Sequence, residues 1–168
     1  QNLGFQNITT YIQSGNIAFD VLEKEEEKEI CEKIKTAIFE QYHFEVPVLV
    51  RKKEELQTVV AENPFLKTEN IDIKKLYVTF LADLPNEIHF AKLKGIEKEY
   101  YSPDDFAIMD KTIYVCTEKY GRTKLSNNFF EQKLKVSATT RNWKTVLRLC
   151  EMATQNEKKY DSHTYKLT

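Results

Sequence analysis

Two polar stretches near the C-terminal end, residues 120–128 and 137–143, carry the densest set of charged, amide and aromatic side chains. We expect each stretch to lie where a helix begins, a position that attracts anions because its backbone N–H groups are unpaired and partly positive. Arg122, Lys124 and Arg141 lie in these stretches, where acidic residues are the usual occupants. Cations are unfavourable at a helix start unless an anion offsets them, so the pattern indicates an anion pocket.

The other residues of these stretches fit a ligand pocket as well as they fit ordinary helix caps and core. In the functional interpretation, Asn128 and Asn142 donate hydrogen bonds, while Tyr120 and Trp143 stack on a planar group of the ligand. In the structural interpretation, a threonine at 139–140 caps the last helix, Trp143 belongs to the core and the arginines pair with glutamates. No spacing here matches a P-loop or a Rossmann fingerprint, so both interpretations stay open.

The turn of a predicted hairpin, Gln13-Ser14-Gly15-Asn16, is the second candidate segment. An exposed tip with a glycine can approach a ligand closely, although most such tips are only turns. Ser14 lacks the glycine two residues earlier that a nucleophile elbow requires. We therefore expect Gln13, Ser14 and Asn16 to contact a ligand, and we do not expect a serine hydrolase.

No pattern in the sequence indicates a metal site or a cofactor. The histidines and cysteines are scattered and lack the spacing of metal ligands or of a Cys-His pair. They are His43, His89, His163, Cys31, Cys116 and Cys150. No catalytic residue is assigned, but in an enzyme acting on a small metabolite Lys124, Tyr120 or Glu131 would serve as acid or base.

Residue periodicity in the first half predicts a hairpin, a helix, a strand and a second helix. Two-residue alternation at 7–21 predicts the hairpin, and spacings of three and four at 23–43 predict an amphipathic helix. A β-branched run at 45–51 predicts a strand. The second helix follows it and stops at Asn63-Pro64.

The second half is predicted to contain three strands and three helices before a polar, loosely ordered tail. The first strand is apolar enough to be central and buried on both faces. In order, these segments are a strand at 76–81, a helix from Pro85 to about 96, hairpin strands at 106–109 and 112–116, helices at 124–134 and 140–154, and the tail at 156–168.

Together these elements predict an α+β fold of two tandem ferredoxin-like (split βαβ) units, residues 1-66 and 67-168. The second unit has an extra C-terminal helix. The first is complete only if a strand and a helix precede Gln1, and Gly4, which resembles a helix C-cap, supports this expectation. The alternative is a single mixed sheet with helices on one side.

Composition restricts the class of protein. The net charge is -1 and the charges interleave, which excludes a polyanion-binding tail but not a local basic patch. No apolar run approaches the roughly 20 residues that span a bilayer, and no signal segment opens the chain. We expect a cytoplasmic protein with no membrane contact, and self-association stays open.

The motifs resemble the bacterial domain-of-unknown-function family 1697. The segments that carry the resemblance are TYIQSGN at 10–16, NPF at 63–65, GRTKLSN at 121–127 and ATTRNW at 138–143. The resemblance implies two tandem α+β units and no established activity. It also implies an opening strand and a helix ahead of Leu3-Gly4-Phe5, which this chain lacks.

The most specific function hypothesis is a binding module for a phosphorylated or other anionic ligand, either a nucleotide or single-stranded nucleic acid. An enzyme acting on a small metabolite is one alternative. A non-catalytic protein-interaction domain is the other.

Overall fold

The computed structural model describes residues 3–11, 15–156 and 163–167, with backbone alone for 156 and 163–167. The protein is mixed α+β, which confirms the predicted class. The strands are β1 (Gln6–Tyr11), β2 (Asn16–Val21), β3 (Val50–Lys52), β4 (Leu76–Leu81), β5 (Asp105–Met109), β6 (Thr112–Cys116), β7 (Ala138–Asn142) and β8 (His163–Leu167). The helices are α1 (Glu27–Tyr42), α2 (Lys53–Ala61), α3 (Glu87–Lys94), α4 (Asn127–Leu134) and α5 (Trp143–Asn156).

The chain forms two compact units, each with its own four-stranded sheet. One unit is Gln1–Ala61 together with Leu147–Thr168, and the other is Glu62–Val146. These units differ from the expected ranges 1-66 and 67-168, because the segment from Leu147 onward groups with the first unit. The presence of two sheets contradicts the alternative of a single mixed sheet.

The first unit has the strand order β1-β2-β8-β3, and every neighbouring pair is antiparallel. Its core lies on one face of the sheet, where Phe19 and Val21 of β2 pack with Ile30 and Ile34 of α1. Phe5 stacks on Phe19 with ring centroids 4.3 Å apart. The antiparallel pairing of β1 with β2 confirms the predicted hairpin.

The second unit has the strand order β5-β6-β4-β7, again antiparallel throughout. Its elements follow each other as β4-α3-β5-β6-α4-β7. Leu81, Ile113 and Val115 of the sheet pack with Phe130 and Leu134 of α4. The strand β4 is central, as predicted.

Two predictions for the C-terminal part of the chain are wrong. The last helix is predicted to begin at Thr140, but it begins at Trp143, and Ala138–Asn142 form β7, which pairs with β4 over its whole length. The tail was expected to be loosely ordered, but its residues His163–Leu167 form β8 between β2 and β3. In both cases pairing with a distant strand outweighs the polar local sequence.

The strand predicted at 45–51 is shorter in the structure. Only Val50–Lys52 has strand pairing, although Val48 and Leu49 are also buried. None of the helices that the structure describes is both long and apolar enough to cross a membrane.

Candidate functional site

The polar stretch at 120–128 forms a short 3-10 turn, Tyr120–Arg122, followed by the start of α4. Ser126 caps this helix, because its Oγ accepts a hydrogen bond of 3.3 Å from the N–H of Phe129. The Tyr120 hydroxyl accepts a second bond, of 2.9 Å, from the N–H of Asn127. Two of the N–H groups that would have bound an anion are therefore already satisfied by the protein.

A chain of side-chain hydrogen bonds links α4 to the sheet of the second unit. The hydroxyls of Thr79 and Thr140 lie 2.7 Å apart, and Thr140 donates a bond of 3.1 Å to Oδ1 of Asn127. The Asn127 amide donates in turn to the backbone oxygen of Ala138 at 3.1 Å. This hydroxyl–amide network joins β4, β7 and α4, and sequence reasoning missed it. The available signal was Thr79, which is a threonine inside an otherwise apolar and aromatic strand.

The ring of Tyr120 lies against Tyr77, with centroids 4.7 Å apart and planes at 26°. Burial raises the pKa of the Tyr120 hydroxyl above its ordinary value. This tyrosine therefore stays neutral and serves as a hydrogen-bond partner of the α4 backbone.

Lys124 is bound to a neighbouring loop. Its Nζ donates to the backbone oxygen of Tyr100 at 2.6 Å and lies 4.6 Å from the centroid of the Tyr100 ring. The Tyr100 ring stacks in turn on Phe129 of α4. Lys124 thus lies on the helix-covered side of the sheet.

Arg141 points to the opposite side of that sheet. Successive side chains of a strand alternate between faces, and the preceding residue, Thr140, points toward α4. The Nη1 of Arg141 donates to Oγ1 of Thr139 at 2.7 Å and to the backbone oxygen of Thr140 at 3.0 Å. The side chain is half-buried, and burial lowers the pKa of its guanidinium.

The three predicted cations therefore do not share one local environment. Lys124 and Arg141 lie on opposite faces of the sheet, and Arg122 is exposed at the 3-10 turn. Since Arg141 lies on β7, the helix-start argument made for it from sequence does not apply. It holds a different position, half-buried in a sheet.

The remaining predicted contacts of the second unit have mixed positions. Asn128 is exposed at the start of α4. Asn142 caps α5, because its Oδ1 accepts a bond of 2.8 Å from the N–H of Thr145. Trp143 is only 3% exposed and belongs to the core, as in the structural interpretation.

Among the hairpin residues, Gln13 and Ser14 lie outside the described residues. Asn16 is described and fully buried, and its amide donates a bond of 3.2 Å to the backbone oxygen of Tyr11. Asn16 therefore supports the hairpin.

The residues considered as acid or base in an enzyme have structural hydrogen bonds. Glu131 accepts a bond of 2.8 Å from the N–H of Ala138 and so holds the start of β7. Tyr120 and Lys124 bind backbone groups of Asn127 and Tyr100. These contacts give each of the three a role in positioning the chain.

Three buried charged residues in the first unit, Asp20, Arg51 and Lys53, were also missed. Asp20 is 2% exposed and accepts a bond of 2.6 Å from the side chain of Asn7. Arg51 is 3% exposed, and its Nη1 donates to the backbone oxygen of Val50 at 2.8 Å. Asp20 lies on the sheet face opposite Phe19. The sequence feature that could have identified it is a charged residue within the alternating pattern of the hairpin.

Two cavities lie in the first unit. The larger, of about 590 Å³, runs beside α1 and is lined by Lys35, Phe39, Val46 and Pro47 among others. The smaller, of about 370 Å³, lies between α2 and α5 and includes Cys150. The described residues that line these two cavities include none of the predicted site residues. Among the described residues no group of three or more His, Cys, Asp or Glu could hold a metal ion.

A family described as a protein of unknown function, DUF1697, matches residues 1–114. The chain belongs to the DUF1697 family. The match includes the first unit's hairpin and ends inside β6, so the polar stretches at 120–128 and 137–143 lie beyond it. No curated protein and no solved structure matches this DUF1697 chain.

Proposed function

We propose that this DUF1697 protein is a binding module for a small anionic ligand, with Arg141 as its main contact. The observation that carries the proposal is the state of the Arg141 guanidinium, which is half-buried, lowered in pKa by burial and oriented by two hydrogen bonds. A partly desolvated cation gains more from a carboxylate or phosphate than an exposed one does. A fixed guanidinium also suits the bidentate geometry of these anions.

The site proposed here has fewer contacts than the three-cation pocket expected from sequence. Lys124 contributes to packing against Tyr100, and Arg122 would contact the ligand only at the protein surface. Trp143 is buried and is not available for stacking. The ligand is therefore recognised by charge, and a small carboxylate or phosphate is favoured over a nucleic-acid strand, which would need exposed rings.

The test is calorimetric titration of the chain with inorganic phosphate, acetate, a nucleoside monophosphate and a short single-stranded oligonucleotide. We expect phosphate-bearing probes to bind, and Arg141→Gln to weaken binding by about tenfold. Arg148→Gln is the matched control, because the Arg148 side chain is 42% exposed and pairs with Glu151 at 3.1 Å. Arg122→Gln should change the affinity little.

Equal affinity of wild type and Arg141→Gln, or no binding of any probe to the wild type, would contradict the proposal. Binding of the oligonucleotide alone would favour the nucleic-acid alternative. Equal losses of affinity for Arg122→Gln and Arg141→Gln would instead favour the three-cation pocket expected from sequence.

A protein-interaction domain is the second candidate, favoured by exposed aromatic side chains beside the larger cavity. Phe39, Tyr42 and Phe44 are each at least half exposed, and the Tyr42 and Phe44 rings lie 5.9 Å apart. Exposed aromatic clusters are typical of interaction surfaces. A partner bound there would be lost with Phe39→Asp and retained with Arg141→Gln.

We further propose that both units follow the ferredoxin-like plan and that the protein is cytoplasmic. The element order β4-α3-β5-β6-α4-β7 and the strand order of the second unit support the plan. In the first unit β8 lies between β2 and β3, the place of the central opening strand in that plan. The wide spacing of the three cysteines supports the location.

A further inference from the structure

The edge strand β1 differs from the other three sheet edges. A sheet edge presents unpaired N–H and C=O groups, and proteins commonly protect it with charged side chains. The edges β3, β5 and β7 each contain a charge: Arg51 and Lys52 in β3, Asp105 in β5 and Arg141 in β7. The strand β1, with the sequence QNITTY, contains none in a chain whose residues are 30% charged.

The outer side of β3 is also occupied by side chains. The N–H of Lys52 donates to the Glu55 carboxylate at 2.9 Å, and the thiol of Cys31 is hydrogen-bonded to the backbone of Val50. The Arg51 side chain binds the backbone oxygen of Val50. This edge is therefore closed to a further strand.

In contrast, β1 is uncovered on both faces. Its first five residues are exposed, and the side chain of Ile8 among them is 59% exposed. Among the strands that the structure describes, β1 pairs with β2 alone. The free edge and the open faces together fit a further strand.

The absence of charged residues from β1 indicates which strand pairs with it. A two-fold axis places a strand antiparallel to its own copy, so a charge at or beside the axis would lie near the same charge of the partner. An uncharged strand with two threonines avoids that repulsion. A strand selected for a charged partner would instead carry the opposite charge.

We propose that β1 is the contact surface of a homodimer, in which the β1 strands of two copies pair antiparallel across a two-fold axis. The register of β1 shifts between Gln6 and Thr9, and Asn7 has a φ of 49°, so a bulge occupies the first half of the strand. Pairing is confined to Thr9–Tyr11, with Thr10 at the centre. Because this contact is short, the dimer is weak and depends on concentration.

The test is sedimentation velocity on the full chain over a dilution series. Thr10→Lys places two positive charges together at the axis and should raise the dimer Kd by about fivefold, as should Thr10→Glu. An equimolar mixture of the two variants should restore or exceed wild-type association, because unlike charges then meet. Leu22→Lys is the control, since Leu22 is 73% exposed and lies outside the strand, and it should leave the Kd unchanged.

Far-UV circular dichroism of each variant shows whether the fold is intact. Misfolded chains would not regain association when the two variants are mixed, so the mixing experiment remains decisive if one variant is less stable. A wild-type chain that stays monomeric at every concentration would overturn the proposal. The proposal would also be overturned if both Thr10 variants and their mixture formed a dimer with the wild-type Kd.

Discussion

The two sheets have the same number of strands and the same antiparallel pairing, yet they are assembled from the chain in different ways. The strands of the second sheet all lie within Glu62–Val146, and its core is continuous from β4 to α4. The first sheet takes β8 from the far end of the chain, and β3 pairs with no other described strand. Closing such a long loop has an entropic cost that local pairing avoids. The first unit should therefore depend on a single distant segment.

The largest expected effect comes from ending the chain at residue 156. This change removes the partner of β3 and one neighbour of β2, so their ladder hydrogen bonds are lost. We expect the first unit to lose about 3 kcal/mol or more of stability. Hydrogen exchange read by mass spectrometry would show faster exchange of the β2 and β3 amides.

The internal control for this truncation is the second sheet. Amides of β4 and β6 should keep their wild-type protection, because their partners lie in the same contiguous segment. If β3 stays protected without β8, the contrast between the two sheets is wrong.

A smaller effect concerns alkaline pH and Tyr114, which lies in the second sheet and is 2% exposed. Burial raises the pKa of its hydroxyl from 10.0 to about 12. Between these values the unfolded chain loses the proton while the folded chain keeps it. Ionisation of Tyr114 therefore leaves the free energy of unfolding unchanged below pH 10 and lowers it by about 2 to 3 kcal/mol as the pH rises to 12.

Denaturant unfolding of wild type and Tyr114→Phe between pH 9 and pH 12 measures this contribution. The variant should gain stability relative to wild type as the pH rises through this window, and the two curves should run parallel below it. A difference that does not change with pH would mean that Tyr114 titrates normally.

The smallest expected effect concerns the hydroxyl–amide network of Thr79, Thr140 and Asn127. Thr140→Val leaves the hydroxyl of buried Thr79 and the Oδ1 of Asn127 each without this partner, and should cost about 1 to 2 kcal/mol. The double variant with Thr79→Val should lose less than the sum of the single variants, because both groups of one pair are then removed. Additive losses in denaturant unfolding would show that the network does not hold β7 to β4.

The hairpins and most helices were predictable because their signals are local. The alternation at 7–21 predicted β1-β2, the two strand runs at 106–109 and 112–116 predicted β5-β6, and both pairs are present. The apolar run of β4 predicted a central strand correctly. In each case the residues that pair or pack are close in sequence, or their apolar residues follow a clear strand or helix period.

The candidate site was less predictable, and Arg141 shows why. Its neighbours Thr139, Thr140 and Asn142 are good helix caps, and this property directed the prediction to a helix start. Asn142 does cap α5, but the preceding residues pair with β4. Whether a threonine caps a helix or pairs in a strand depends on a partner about 60 residues away, which local sequence does not reveal.

The amino-acid sequence alone was sufficient to predict the α+β class, the two hairpins and the family, because composition, short-range periodicity and motifs are read along the chain. The places of β7 and β8, and the opposite orientations of Lys124 and Arg141, follow from long-range strand pairing. A polar segment gains a strand conformation only when a distant edge supplies its hydrogen bonds, and the alternation of that strand then sets the face to which each charge points.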